Sequence, residues 1–460
     1  MPKNLRTYVA DLKAAGEKAF LATQQPVDAK FGLTAVLQKL EQQGRYPAVL
    51  FQRVVGSKMP VLANVFASRA GLAMALGVPP SALNSRLREL DAAAIPPKRV
   101  EAPPCQEVVL KSPRASLSVL PQIWHNSGDG GPYITGGCAV TAHPDTGVTN
   151  LGIYRLMIKD DKRMTVHLSE TSHAGILLEE YARLGRPMPI AIAIGHHPAF
   201  YLAAVSLGPY GADEYSLAGG YLGEPVTVAR AVESGLEVPA ESEILVEGEI
   251  VPGELDHEGP FGEFTGTYGQ VLTNPVITVK AITMRRDPIF LDIFSGHADH
   301  QVLAGTPRLS WVFRAARAAC PTLSEVYMPP SGCCRFFCFV SIDKRFEGEP
   351  KNVAMAVFAA DSCARYVVVV DEDVDVFDEE AVMRAIATNV RVPADTFLVE
   401  RTKGSPLDPT AQDGLLVSKL GIDATRKKSA SRKTVSVEEA RAVDLDTVFG
   451  PAWRDGHCCV

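Results

Sequence analysis

The chain has 460 residues, of which 46% are hydrophobic and 22% charged, and its formal net charge is −7. That length allows two or three domains with sizeable cores, and the composition is that of an ordinary soluble globular protein. The acidic balance argues against a broad nucleic-acid footprint, and the lack of a sufficiently long apolar run excludes a membrane-spanning helix.

Residues 1–110 read as an N-terminal α/β module. Leu5, Val9, Leu12 and Phe20 make a helical stripe, Ala48–Phe51 a short strand, and Ser68–Leu76 a helix closed by Gly77. Met1–Phe20 lacks the apolar core of a signal peptide and indicates no transit peptide. Paired prolines between Ile95 and Pro104 form a linker. Residues 111–307 change to short β segments punctuated by Gly and Pro, such as Tyr133–Ala142, Asn150–Lys159, Ile190–Ile194, Ile244–Ile250 and Val276–Met284. Such a pattern predicts a sheet curled into a partial barrel, interrupted by a helix at Ala174–Leu184.

Residues 308–334 supply a connecting helix and loop, and 335–429 a βαβαβ alternation that predicts a small, mostly parallel C-terminal domain. Nothing polar converges in that domain, which points to oligomerisation. The tail, 430–460, has helical character at Ser436–Ala442. The fold class is therefore mixed α/β (α+β). Nine cysteines at irregular spacing suit reduced thiols in a cytoplasm, and Cys333, Cys334 and Cys338 read as core thiols beside a strand.

The densest chemistry lies in Glu258-Gly-Pro-Phe-Gly-Glu263. Gly and Pro exclude a helix and favour a tight loop that keeps both acids near one place. Two carboxylates in a partly dry pocket cannot both ionise cheaply, so one retains a proton and becomes a candidate general acid. A second cluster is Asn150-Leu-Gly-Ile-Tyr-Arg155. The forked guanidinium of Arg155 suits both a substrate carboxylate and a glutamate. In a regular strand Asn150 and Arg155 face opposite sides, so a shared site requires a bulge or a strand that begins at Asn150. Asn150, His173 and Glu233 together offer an amide oxygen, an imidazole and a carboxylate, a mostly hard set suited to Mn²⁺ or Mg²⁺ rather than Zn²⁺.

These segments, in this order, with Gly404-Ser-Pro-Leu-Asp-Pro409 and Ser418-Lys-Leu-Gly-Ile-Asp423 late in the chain, resemble the UbiD family of prenylated-flavin decarboxylases. The resemblance implies a reversible, non-oxidative decarboxylase whose split β-barrel domain binds prenylated FMN, with the small C-terminal α/β domain serving oligomerisation. A separate flavin prenyltransferase would supply the cofactor. It implies cofactor contacts from Asn150, Ile153, Tyr154, Arg155, Ser172, His173, Glu233 and Lys419, with Lys419 near the flavin phosphate. Asn150, His173 and Glu233 would bind the divalent metal, with K⁺ close by. Arg155, Glu258 and Glu263 would form the catalytic network, with Glu263 as proton donor.

The resemblance also implies that His300, Arg308 and Arg335 would form a polar, cationic pocket end suited to a second carboxylate, as in members that act on furan-2,5-dicarboxylate. The other reading of Arg308 and Arg335 is an interdomain salt bridge, which leaves a pyrrole-, indole- or benzene-carboxylate open. A reading from another class is a flavin- and metal-binding protein without turnover. Expected partners are a small carboxylic acid, CO₂ and further copies of the chain as a dimer or hexamer, with no nucleic acid or membrane, in the cytoplasm.

Overall fold

The computed structural model describes residues 2–427, except 209, 413 and 414, together with 443–449. The expected helix at Ser436–Ala442 lies outside the described residues.

Asn4 caps the first helix, Leu5–Ala14, and exchanges hydrogen bonds with Thr7 in a capping box. Leu5, Tyr8, Val9 and Leu12 form its buried face. Phe20 is not part of that stripe, because Gly16 takes a φ of +86° and ends the helix. Phe20 instead opens a strand, Phe20–Thr23, that runs parallel to Ala48–Phe51. The sheet continues through Val61–Ala63 to Phe290–Leu291. Its last strand therefore comes from more than two hundred residues later, so the N-terminal unit is sewn to the middle of the chain.

The central unit is a nine-stranded sheet. Its main path runs Thr149–Ile153, Gly137–Ala142, Met188–Ile194, Ile244–Glu258, Leu272–Met284, Arg163–Val166, Leu156–Ile158 and Tyr133–Ile134, all antiparallel. Two strands adjacent in sequence, Thr149–Ile153 and Leu156–Ile158, lie near opposite ends of this path, so the sheet must curl until its ends approach. Tyr154 and Arg155 cross the gap. Helices fill the open side: Pro198–Ala204, buried all round, then Glu214–Leu222 and Ala298–Gly305.

The C-terminal sheet runs Leu323–Tyr327, Phe337–Ile342, Tyr366–Asp371, Leu416–Asp423, Thr396–Lys403. Its central pairings are parallel and both edges antiparallel. The strand at 416–423 inserts between two strands expected to be neighbours. It carries Lys419 and Gly421 and so lacks the apolar, β-branched signature of a central strand. Gly421 is needed there, since a Cβ would lie 2.1 Å from the Phe397 ring.

Candidate active site

The break at Tyr154-Arg155 resolves the facing problem posed by the odd spacing of Asn150 and Arg155. Strand geometry ends at Ile153, so the side chains of both residues line one cavity of about 380 Å³. Gly152 permits this turn, because a Cβ there would meet the Tyr154 ring at 2.6 Å.

Glu258 is the last residue of the strand Ile244–Glu258, opposite Leu272, and Glu263 lies in the connection 259–271 of this long hairpin. Arg155 bridges them. Its Nε and Nη2 grip Glu258 at 3.0 and 2.8 Å, while Nη1 donates to Glu263 Oε1. Glu258 is fully buried and also accepts from Tyr133 Oη at 2.8 Å and Asn274 Nδ2 at 2.9 Å. Both of its oxygens are thereby saturated. Arg155 is the only side-chain hydrogen-bond partner of Glu263 among the described residues. Burial pushes the Glu263 carboxyl above its ordinary value, Arg155 opposes the shift and the neighbouring Glu258 reinforces it. Arg155 and Phe261 line the cavity, whereas Glu263 stands behind Arg155.

Asn150 and His173 also line this cavity, and the carboxylate beside them is Glu214. His173 Nδ1 lies 3.3 Å from Glu214 Oε1. His173 opens the helix His173–Arg183 behind the cap Ser172, and Glu214 opens Glu214–Leu222 behind the cap Asp213. Two helix N-termini thus meet at one point, a setting that favours an anion such as phosphate. Asn150 Oδ1 and Glu214 Oε2 are buried with no hydrogen-bond partner. Orphaned oxygens of this kind fit a hard divalent cation. No group of three or more His, Cys, Asp or Glu is placed to hold a metal among the described residues; here the third donor is an amide.

Glu233 does not join this set. It sits in the turn after Thr227–Arg230, pairs with Lys111 at 2.7 Å, and lines a separate cleft with Glu249 and Lys280. Glu247 fixes that turn by accepting from the backbone of Val232, Glu233 and Ser234. A signal for Glu214 was present in the sequence, since Asp213 followed by an acid at the first helical position is a helix-start pattern.

Lys419 does not line the cavity either. Its Nζ donates to the carbonyls of Phe358 and Asp361, both at 3.1 Å, closing the end of the helix Glu349–Ala360. Ile153, Tyr154 and Ser172 do line it, as do His300, Arg308 and Arg335. Arg308 is engaged by Asp361 at 2.9 Å. Arg335 has no ion pair among the described residues, its Nε is buried without an acceptor, and its guanidinium lies 4.1 Å from the Phe264 ring centre. Burial and the neighbouring Arg308 lower Arg335 to about 10. His300 is pushed down to about 3 by burial and by Arg335 and Arg155, so it is neutral. Arg335 belongs to the C-terminal unit, as does the Asp361 that holds Arg308, so this unit does bring a polar group to the cavity.

Residues 98–298 match the Rift-related domain of 3-octaprenyl-4-hydroxybenzoate carboxy-lyase, UbiD, and residues 10–90 and 301–424 match its N-terminal and C-terminal domains. An anhydromevalonate phosphate decarboxylase from Methanothermobacter thermautotrophicus is 34% identical, over 92% of this chain and 97% of that protein. Its counterpart from Methanosarcina mazei is 35% identical, over 92% of this chain and 96% of that protein. The structure of the UbiD-class enzyme HmfF from Pelotomaculum thermopropionicum in complex with FMN superposes with a TM-score of 0.91 at 33% identity, covering 97% of this chain and all of that one. The apo 3,4-dihydroxybenzoic acid decarboxylase of Klebsiella pneumoniae gives 0.88 at 26% identity, covering 97% and 99%. With matched domains running from residue 10 to 424 and relatives aligned nearly end to end, the chain belongs to the UbiD family of decarboxylases.

Proposed function

We propose that this chain catalyses the reversible, non-oxidative decarboxylation of an aromatic or heteroaromatic acid with prenylated FMN, converting furan-2,5-dicarboxylate to 2-furoate and CO₂. The observation that carries the reading is the Arg155 bridge between a saturated Glu258 and a Glu263 held by one partner, at a cavity that also contains the unpaired Arg335. Bound prenylated FMN supplies the electron sink that no side chain offers to the carbanion left when CO₂ departs.

The chain's own residues do the rest. Arg155 positions the scissile carboxylate, Arg335 and the neutral His300 receive the second anionic group, and Glu263 turns from Arg155 to give its proton to the vacated carbon. Asn150, His173 and Glu214 would hold Mn²⁺ or Mg²⁺, which would neutralise charge on the cofactor phosphate, with K⁺ as the accompanying monovalent ion. A flavin prenyltransferase supplies the cofactor. The enzyme works in the cytoplasm as a homo-oligomer assembled through residues 335–429, and no described helix is long and apolar enough to cross a membrane.

A second reading follows from the curated relatives. A free arginine at the pocket end receives a phosphate as readily as a carboxylate, so anhydromevalonate phosphate is the rival substrate. CO₂ release by the cofactor-loaded, metal-supplemented enzyme separates the two. The reading predicts turnover of furan-2,5-dicarboxylate well above that of pyrrole-, indole- and benzene-carboxylates. Preference for the phosphorylated acid would replace the substrate and keep the reaction.

A further inference from the structure

A second buried carboxylate reaches the connection that bears Glu263. The glycine-rich segment Asn126-Ser-Gly-Asp-Gly-Gly131 packs against residues 259–271. Asp129 is 5% exposed, its Oδ1 accepts from the backbone N of Gly262 at 2.9 Å, and its Oδ2 accepts from the backbone N of Asn126 at 2.8 Å. Gly262 immediately precedes Glu263. On the other side, the connection holds Glu263 by its own turn, with Glu263 N donating to Thr267 O and Gly266 N to Glu263 O, both at 2.9 Å.

The two segments approach too closely for side chains. A Cβ on Gly130 would lie 2.1 Å from the carbonyl oxygen of Gly259, and one on Gly262 would lie 2.3 Å from Asn126 Nδ2. Gly130 N donates to Pro260 O at 2.8 Å, and Asn126 Nδ2 to Ser295 Oγ at 3.3 Å, a residue of the cavity wall. The contact therefore links the acid-bearing loop to the wall of the cavity, with the Asp129 carboxylate at its centre.

We propose that Asp129 is a positioning residue for Glu263, its acceptor-only side chain clamping the residue before the acid so that the carboxyl stays within reach of both Arg155 and the cavity. The inference rests on the reading of Glu263 as the proton donor. Two inward-pointing N–H groups demand an acceptor on each oxygen, and an amide turns an NH₂ toward one of them. The loop then shifts, and a misplacement of about 1 Å costs roughly 10²-fold in rate.

The test uses the full-length, cofactor-loaded enzyme. Asp129→Asn should lower kcat roughly 10²-fold while KM stays within about twofold and flavin content matches the wild type. In the Glu263→Gln background the same change should add no further loss, because both act through one proton. Unchanged kcat, loss of activity only in proportion to lost cofactor, or an additive loss in the double variant would each overturn the proposal. If Asp129→Asn does not fold, Asp129→Ser, which keeps one acceptor, serves the same comparisons. A fully active Glu263→Gln would instead remove the acid assignment, so the two failures are distinguishable.

Discussion

Glu258, at the end of a strand, and Glu263, in the connection that follows, are five positions apart, yet their surroundings differ. Glu258 receives Arg155, Tyr133 and Asn274, while among the described residues Arg155 is the one side-chain donor to Glu263, which is pushed upward by burial. An acid donates only when protonated, so kcat should be level at low pH and fall as pH rises through the elevated pKa of Glu263. Glu263→Gln should remove that limb and cost about 10²–10⁴-fold in kcat with cofactor retained, as read from pH–rate profiles and flavin absorbance. A second residue-scale prediction concerns the metal. Glu214→Ala should abolish stoichiometric Mn²⁺ or Mg²⁺ in the purified enzyme, whereas Glu233→Ala, at the Lys111 ion pair, should leave it intact; elemental analysis decides. The grouping of Asn150, Arg155, His173, Glu258 and Glu263 followed from the ordered family segments, because glycine spacing and a helix start mark each residue locally without showing that they meet. Glu233 and Glu214 could not be ranked by residue type, since only the tertiary fold shows which acid faces an imidazole.

Among the elements, the hairpin and its connection matter most, because they carry both acids. The Gly and Pro pattern of 258–263 predicted a loop, and the structure places a connection there between strands of fifteen and thirteen residues. The docking partner at 126–131 gave no sign of what it docks against, since Gly130 is required by the Gly259 carbonyl, Gly128 by the Tyr268 ring and Gly131 by the Met157 side chain. Gly130→Ala should therefore destabilise the protein by about 1–3 kcal/mol, measured by denaturant unfolding, and lower kcat by displacing the loop. The strand Leu416–Asp423 was illegible for a related reason. Its Lys419 is buried to close a helix end rather than to meet solvent, and Lys419→Met should cost about 1–3 kcal/mol by leaving two buried carbonyls unpaired.

At the scale of the whole molecule, the cavity is lined by the central and C-terminal family segments and braced by the N-terminal one. The N-terminal sheet accepts Phe290–Leu291, and Asp299, fully buried, receives the backbone N–H groups of Asn64, Phe66 and Phe294. That clamp fixes the start of the helix that presents His300. Burial raises Asp299 to about 7, far above an unfolded aspartate near 4. Because the folded value is the higher one, the contribution of Asp299 to stability is complete below about pH 4 and is lost as pH rises through about 7. Melting temperatures across that window should fall with pH in the wild type relative to Asp299→Asn, and parallel profiles would refute the coupling. The mixed α/β class and the curled sheet followed from periodicity. Interlocking of this kind did not, because Phe290–Leu291 is too short to announce its partner.

The most direct test of the Arg155-bridged acid pair is decarboxylation in D₂O by the cofactor-loaded enzyme. One CO₂ should be released and one deuterium placed on the vacated carbon per turnover in the wild type, with both slowed about 10²–10⁴-fold in Glu263→Gln. Deuterium incorporation by Glu263→Gln at the wild-type rate would contradict the role of Glu263 as the acid.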